Sequence, residues 1–269
     1  MQITSRDNSL LRQVRAVRDG KIEELIYVEG LRLCEEALRS QLEIEAVVVS
    51  EELLRKERVA AVIQELSQAA RRFASLSEKL LESVSYTKTP QGIIVLAQRP
   101  ESSETRLARQ IEANPLLVVL HQINNPVNVG AILRTSEAAG AAGVITTRNT
   151  SDPFSPKSLR GAMGSAFRLP IWSGPAYTEM IDWCRQRGIK TICADVHATD
   201  AYTEVDWRGP SALILGPEST GLTPEELELA AHRVNIPMKG MAESLNVGVA
   251  TGVLLFEAAR QRANADDAE

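Results

Sequence analysis

Ser211-Ala212-Leu213-Ile214-Leu215-Gly216-Pro217-Glu218-Ser219-Thr220-Gly221-Leu222-Thr223-Pro224-Glu225-Glu226 is the stretch that decides the fold class. Its first five residues form an apolar run without alternation, the pattern of a strand covered on both faces. Its end is a helix start, with Thr223 as N-cap, Pro224 at the first helical position and Glu226 at the third. Between them lies a glycine-bounded loop at the carboxyl end of a strand, where open α/β sheets bind ligands. No Gly-Lys-Ser/Thr follows, so it is not a Walker loop, and it is not GxGxxG either. It sets the Glu218 carboxylate in a turn whose backbone must stay open.

Working outward, the same alternation repeats. Leu116–Leu120, Gly143–Thr146 and Thr191–Ala194 are further short apolar strands, and Val234-Asn235-Ile236-Pro237 ends the last one. Helices are predicted over 129–140, over a stretch ending at Gly188, and from Asn246 to about Ala263. Strands alternating with helices predict a mainly parallel sheet covered on both faces. The final helix carries Val247, Val249, Val253, Leu254, Leu255 and Phe256 around most of its circumference. Burial on more than one side follows, with a second subunit or the domain's own core as the second cover.

The first hundred residues read as a smaller α/β unit. Ile26–Val28, Ala46–Val49 and Gly92–Ala97 are strand candidates. A helical stretch runs to about Ser40, Ser50 is an N-cap, and Val59–Arg72 is helical. Residues 99–114 carry charge, Ser and Pro without a strand signal and read as a linker that is partly helical. The expected organisation is therefore a domain over 1–98, a linker over 99–114 and a second domain over 115–269.

Composition narrows the class. The chain has 269 residues, is 44% hydrophobic and only 4% aromatic, so its core rests on Ala, Val, Leu and Ile. No apolar run of about 18 residues predicts a membrane span, and the charged N-terminus lacks a signal-peptide core. Cys34, Cys184 and Cys193 are odd in number and far apart, so neither a disulfide scaffold nor a metal site is expected, and a cytoplasmic setting follows.

Two more stretches are over-specified for folding alone. Asn124-Asn125-Pro126-Val127-Asn128-Val129-Gly130-Ala131-Ile132-Leu133-Arg134-Thr135 joins a strand to a helix, with Pro126 and Gly130 fixing the turn and Arg134 inside an otherwise apolar helix start. Ile236-Pro237-Met238-Lys239-Gly240-Met241-Ala242-Glu243-Ser244-Leu245-Asn246-Val247 joins the last strand to the last helix; capping explains Ser244 or Asn246, not both. His197 and His232 read as surface or capping residues.

In order and spacing, the three stretches resemble the signature motifs of the SpoU (TrmH) family of RNA 2′-O-ribose methyltransferases. The resemblance covers about residues 114–262, and Ser155–Phe167 is similar to the loop between the family's first two motifs. The segment YVEGLRLCEEAL is similar to its N-terminal substrate-binding domain, which resembles an RNA-binding ribosomal protein. The resemblance implies a SPOUT-type trefoil-knotted sheet, a homodimer with active sites at the subunit interface, and S-adenosyl-L-methionine as cofactor. It carries Asn128, Arg134, Glu218, Ser244 and Asn246 over as catalytic positions. It carries Gly216, Ile236 and Leu245 over as cofactor-binding positions, with Ala194, Leu215 and Met238 beside them. Arg134 is the family's proposed proton acceptor, but a guanidinium is a poor base, and a clamp on phosphate or developing alkoxide is easier to defend.

The N-terminal domain favours large-subunit ribosomal RNA over tRNA as substrate. A tRNA methyltransferase and a catalytically silent RNA-binding relative are the alternatives. A nucleotide-binding oxidoreductase lacks the glycine fingerprint. The net charge of −5 argues against a broadly cationic coat. Cations nevertheless gather in 1–21 (Arg6, Arg12, Arg15, Arg18, Lys21) and in 145–172 (Arg148, Lys157, Arg160, Arg168), while acids collect at 200–228 and 266–269. RNA contact is therefore expected to be local, through those stretches and Arg134, with His121 a candidate for either RNA contact or a structural hydrogen bond.

Overall fold

The structure is a computed structural model and describes residues 1–266; the rest of the acidic C-terminal run lies outside the described residues. The chain forms two units. One comprises Met1–Pro100 and Phe154–Arg168, the other Glu101–Pro153 and the chain from Leu169 onward.

The first unit contains β1 (Gln2–Ile3), α1 (Ser9–Arg18), β2 (Leu25–Glu29), α2 (Leu31–Arg39), β3 (Ile44–Ser50), α3 (Glu51–Leu54), a 3-10 turn (Glu57–Val59), α4 (Ala60–Ala69), β4 (Arg72–Leu76), α5 (Glu78–Val84) and β5 (Ile93–Gln98). Its sheet runs β1-β4-β3-β5-β2 and is mixed, with β5 antiparallel to both β2 and β3. Leu10, Leu11 and Val14 of α1 pack with Leu81 and Val84 of α5 in its core. The helix expected over Val59–Arg72 stops at Ala69, because Arg72–Leu76 is a strand paired parallel to β3.

The second unit contains α6 (Glu104–Gln110), β6 (Leu116–Leu120), α7 (Pro126–Ala138) and β7 (Gly143–Thr146). The chain then contributes α8 (Pro156–Ala162) and α9 (Ser165–Arg168) to the first unit. It returns as β8 (Ile171–Ser173), α10 (Tyr177–Gln186), β9 (Lys190–Ala194), β10 (Ser211–Leu215), α11 (Pro224–Leu229), β11 (His232–Val234) and α12 (Val247–Asp266). The sheet order is β11-β9-β10-β6-β7-β8, and every pairing is parallel. From edge strand β11 the chain comes back across the sheet to lay α12 against α7 and central β10. That return is the crossing the expected trefoil knot needs.

Two expectations about domain limits change. Residues 99–114 are not a free linker: Ser103 caps α6 through its Oγ, which accepts from the Arg106 N–H at 3.1 Å, and Leu107 is fully buried. A Cβ on Gly143 would lie 2.3 Å from Leu107 Cδ1, so α6 sits directly on β7. Residues 154–168 leave the second unit for the first, where Arg168 Nη1 donates to Glu36 Oε2 at 2.6 Å. Glycine suits position 164 because its φ is +96 and a Cβ there would sit 2.8 Å from Glu36 Cβ and Oε2. A contiguous reading of the sequence has no signal for such an excursion.

Candidate active site

At the carboxyl ends of β9, β10 and β11 the second unit encloses a cavity of about 970 Å³. Its walls are the loop after β10, the start of α11, and the connection from β11 into α12. Parallel strands ending together create this hollow, since each chain must turn away there. Gly216 lets the first wall fold tightly: a Cβ on it would meet Leu222 Cγ at 2.8 Å and Leu222 N at 3.0 Å. The turn closes when Gly221 N–H donates to Pro217 O at 2.9 Å, with Gly221 at φ +67.

Ala194, Leu215, Gly216, Ile236, Met238 and Leu245 all line the cavity. The backbone N–H groups of Gly216, Ile236, Met238 and Leu245 donate to no protein acceptor among the described residues. Open main-chain donors beside a cavity of mixed polar and apolar lining suit a ligand that joins acceptor atoms to an apolar frame.

Asn128, Glu218, Ser244 and Asn246 also line the cavity. Three of them form a continuous relay. Gly248 N–H donates to Asn246 Oδ1 at 2.9 Å, Asn246 Nδ2 donates to Asn128 Oδ1 at 3.3 Å, and Asn128 Nδ2 donates to Glu218 Oε1 at 2.6 Å. Each link comes from a different element. Asn246 precedes α12 and caps it, Asn128 lies in the first turn of α7, and Glu218 is in the loop after β10. Asn125, with its Oδ1 accepting from Val127 N–H at 3.0 Å, fixes the start of α7 and so the height of Asn128. The relay works only because α7 and α12 approach closely. A Cβ on Gly248 would stand 3.5 Å from Ala131 Cβ, and one on Gly252 would stand 3.8 Å from Thr135 Cγ2. Ser244 is exposed and makes no hydrogen bond among the described residues.

Arg134 stands apart. It is exposed, does not line its own chain's cavity, and has no ion pair or hydrogen bond among the described residues. Six residues on from Asn128, it points about 120° around α7 from it and shares the outward stripe with Val127, seven residues back. Some expected RNA-contacting cations are committed elsewhere: Arg168 to Glu36, and Arg18 Nε to Asp19 Oδ1 at 2.8 Å.

His121 is structural, which closes the RNA-contact option for it. It is 3% exposed, with Nδ1 2.9 Å from Thr147 Oγ1 and Nε2 2.9 Å from Glu226 Oε1. Glu226 also closes the α11 capping box, its Oε2 accepting from Thr223 N–H at 2.9 Å. His121 thus pins α11, one wall of the cavity, to the end of β6. Burial pushes its pKa below the ordinary imidazole range, with Glu226 opposing. A folded-state value below the unfolded one means that its contribution is fully present above about pH 6.5 and fades as pH falls through the folded value. Thermal melts from pH 7 to 5 are expected to show a steeper loss of Tm for the native protein than for His121→Gln. Equal slopes would refute this.

Asp195, Glu228, Arg233 and Asn235 line the cavity without having been singled out in the sequence, and His197, expected at the surface, is exposed at its rim. Position was the available signal: Asp195 follows β9 directly, and Arg233 and Asn235 belong to or follow β11. The expectation that the last strand runs to Pro237 hid this, since pairing with β9 ends at Val234 and Asn235 makes only an isolated bridge to Ala201.

Comparisons with known proteins agree with this geometry. The SpoU rRNA Methylase family profile matches residues 115–256, and that of the MRM3-like substrate binding domain matches residues 10–95. An uncharacterized tRNA/rRNA methyltransferase of Synechocystis is 31% identical over 97% of this chain and 94% of its own. The 23S rRNA (guanosine(2553)-2′-O)-methyltransferase RlmP of Bacillus subtilis is 31% identical over 85% of this chain and 86% of its own. The AdoMet-bound rRNA methyltransferase of Sinorhizobium meliloti superposes with a TM-score of 0.84 at 30% identity, covering 97% of each chain.

Proposed function

The chain belongs to the SpoU rRNA methylase family, and from that premise we propose that it methylates a ribose 2′-hydroxyl of large-subunit ribosomal RNA, using S-adenosyl-L-methionine. The observation that carries this reading is the Gly248–Asn246–Asn128–Glu218 relay at the mouth of a cavity lined by open backbone donors. When bound, S-adenosyl-L-methionine supplies an already activated methyl, so the protein's task is to align the hydroxyl and help remove one proton. Gly216, Ile236, Met238 and Leu245 offer main-chain groups to the cofactor, with Ala194 and Leu215 shaping the hollow. Asn128, Glu218 and Asn246 hold the ribose edge, their amide orientations fixed by one another. Ser244, in the loop leading to Asn246, hydrogen-bonds substrate or cofactor. Arg134 clamps an RNA phosphate or the developing alkoxide.

The same reading makes the enzyme a homodimer. On α12, Val247, Thr251, Leu254, Leu255 and Ala258 turn inward, while Val249, Val253 and Phe256 form the opposite stripe. Val249 and Phe256 are each 54% exposed, and Val127 of adjoining α7 is 45% exposed. A two-fold contact through this apolar surface carries Arg134 to the partner's cavity, which explains why it serves none of its own. Double replacement Val249→Asp with Phe256→Asp is expected to give a folded monomer with little methyl transfer. A dimer by light scattering would refute the interface.

The residues 1–98 domain supplies substrate recognition, and work on ribosomal RNA places the enzyme in the cytoplasm. No described helix is long and apolar enough to cross a membrane. Mass spectrometry of 23S rRNA from a deletion strain is expected to lack one 2′-O-methyl nucleotide that the purified protein restores. Intact 23S rRNA with a missing tRNA mark would move the substrate to tRNA, and full S-adenosyl-L-methionine binding with no methylation of either would favour the silent relative.

A further inference from the structure

Glu29 is 8% exposed in the first unit and has no cation among its hydrogen-bond partners. Burying a carboxylate is costly unless hydrogen bonds satisfy it. Its donors here are Tyr27 Oη at 3.1 Å, Tyr86 N–H at 2.8 Å, Thr87 N–H at 3.2 Å and Thr87 Oγ1 at 2.5 Å. Three of the four belong to the segment just after α5. Two further ties hold that segment. Arg18 Nη1 donates to Ser85 O at 3.2 Å, and Gln91 Oε1 accepts from Leu31 N–H at 3.1 Å, at the start of α2. The loop between α5 and β5 is thus fastened at both ends and near its middle, although it lies on the surface.

What the fastening presents is Tyr86. Its ring is 43% exposed, in a chain where aromatics are 4% of residues. The ring fills no core, and its hydroxyl makes no hydrogen bond among the described residues. Beside it, exposed Lys88 likewise has no ion pair among the described residues, and Ser85–Gln91 contains no carboxylate. An aromatic side chain on a fastened loop with an exposed lysine beside it is an arrangement that can stack an unpaired base and neutralise its phosphate.

We infer that Tyr86 is a stacking platform for an unpaired nucleotide of the substrate RNA, with Lys88 on the adjoining phosphate and Glu29 as the residue that positions the loop. The inference rests on the ribosomal RNA reading above. It assigns to this loop a share of substrate affinity and none of the chemistry.

Steady-state methylation of unmodified 23S rRNA by the full-length enzyme tests it, alongside direct binding of the same RNA. Tyr86→Ala is expected to raise KM and weaken binding about tenfold to a hundredfold, the range for one base stacked on an aromatic ring. kcat, Tm and S-adenosyl-L-methionine affinity stay unchanged. Tyr86→Phe, which keeps the ring, is expected to behave as the native protein. Lys88→Ala is expected to lower the salt slope of binding by about one. A well-folded Tyr86→Ala protein with native KM and RNA affinity overturns the platform, as does an unaltered RNA affinity combined with loss of a protein partner. Failure of the native protein to methylate 23S rRNA would instead strike the underlying reading, and RNA binding by the Tyr86 pair would still decide the platform.

Discussion

Arg134→Ala is expected to lower kcat by about two to three orders of magnitude, the usual cost of removing one preorganised donor from developing charge. Affinity for S-adenosyl-L-methionine should not change, because Arg134 is assigned to the RNA phosphate or alkoxide and not to the cofactor. Tm should not change either, since the side chain is exposed and bonds to nothing among the described residues. An arginine with no structural duty and a large kinetic effect must act on substrate. Arg134→Lys is expected to recover only part of the rate, because an ammonium cannot reproduce the two-pronged grip of a guanidinium on phosphate. The dimer reading adds a sharper test. Arg134→Ala and Asn128→Ala chains are each expected to be nearly inactive, yet their mixed dimers should regain activity, since one of the two sites then has an intact relay and an intact partner arginine. If mixing restores nothing, Arg134 serves its own chain. If Arg134→Ala alone keeps full turnover, its assignment falls.

How much of this was readable before the structure differs from element to element. Ser211–Leu215 and Thr223–Glu226 were readable in full, because strand apolarity and the capping box are local signals, and both appear with their hydrogen bonds in place. The two faces of α12 were readable as apolar residues all round, but which stripe is covered by α7 and which is left open depends on tertiary packing. Strands β4 and β8 went unread, because a five-residue and a three-residue strand with mixed burial carry too little periodicity. The relay was half readable. Asn128, Glu218 and Asn246 stood out from their context, yet their mutual bonds span 90 and 118 residues of sequence, and nothing local encodes that. His121 illustrates the opposite case. Its partner Glu226 is 105 residues away, so a histidine after a strand looked available to RNA when both its nitrogens were already engaged. Arg262 escaped notice for the same reason.

Arg262→Ala is expected to cost about 3 kcal/mol of stability, taking several charge-assisted hydrogen bonds together with the usual non-additivity. The guanidinium is half-buried and pairs with no carboxylate among the described residues. Its Nε donates to Trp207 O at 2.9 Å, Nη1 to Asn114 O at 2.9 Å, and Nη2 to Gly209 O at 2.6 Å, with Ser211 Oγ at 3.1 Å and Pro115 O at 3.4 Å. These acceptors lie just before β6 and β10, so one side chain near the end of α12 gathers the entries of two central strands. Neighbouring Gln261 reinforces the clasp, its Oε1 accepting from Trp207 N–H at 3.0 Å and its Nε2 donating to Val205 O at 3.1 Å. Burial lowers the guanidinium pKa, yet an arginine stays protonated, so its charge must be absorbed by these carbonyl dipoles. Removing it strands backbone acceptors that water reaches poorly. For a unit of this size the loss corresponds to a fall in Tm of about 6–12 °C. Arg262→Lys is expected to lie between, since one ammonium cannot reach acceptors spread over two strand entries. The far end of α12 carries the Asn246 cap, sixteen residues before Arg262, so below the melting transition kcat should survive in both variants. A stability unchanged in Arg262→Ala would mean that water replaces the guanidinium at no cost. An early loss of kcat at low temperature would mean that α12 transmits strain from the clasp to the relay.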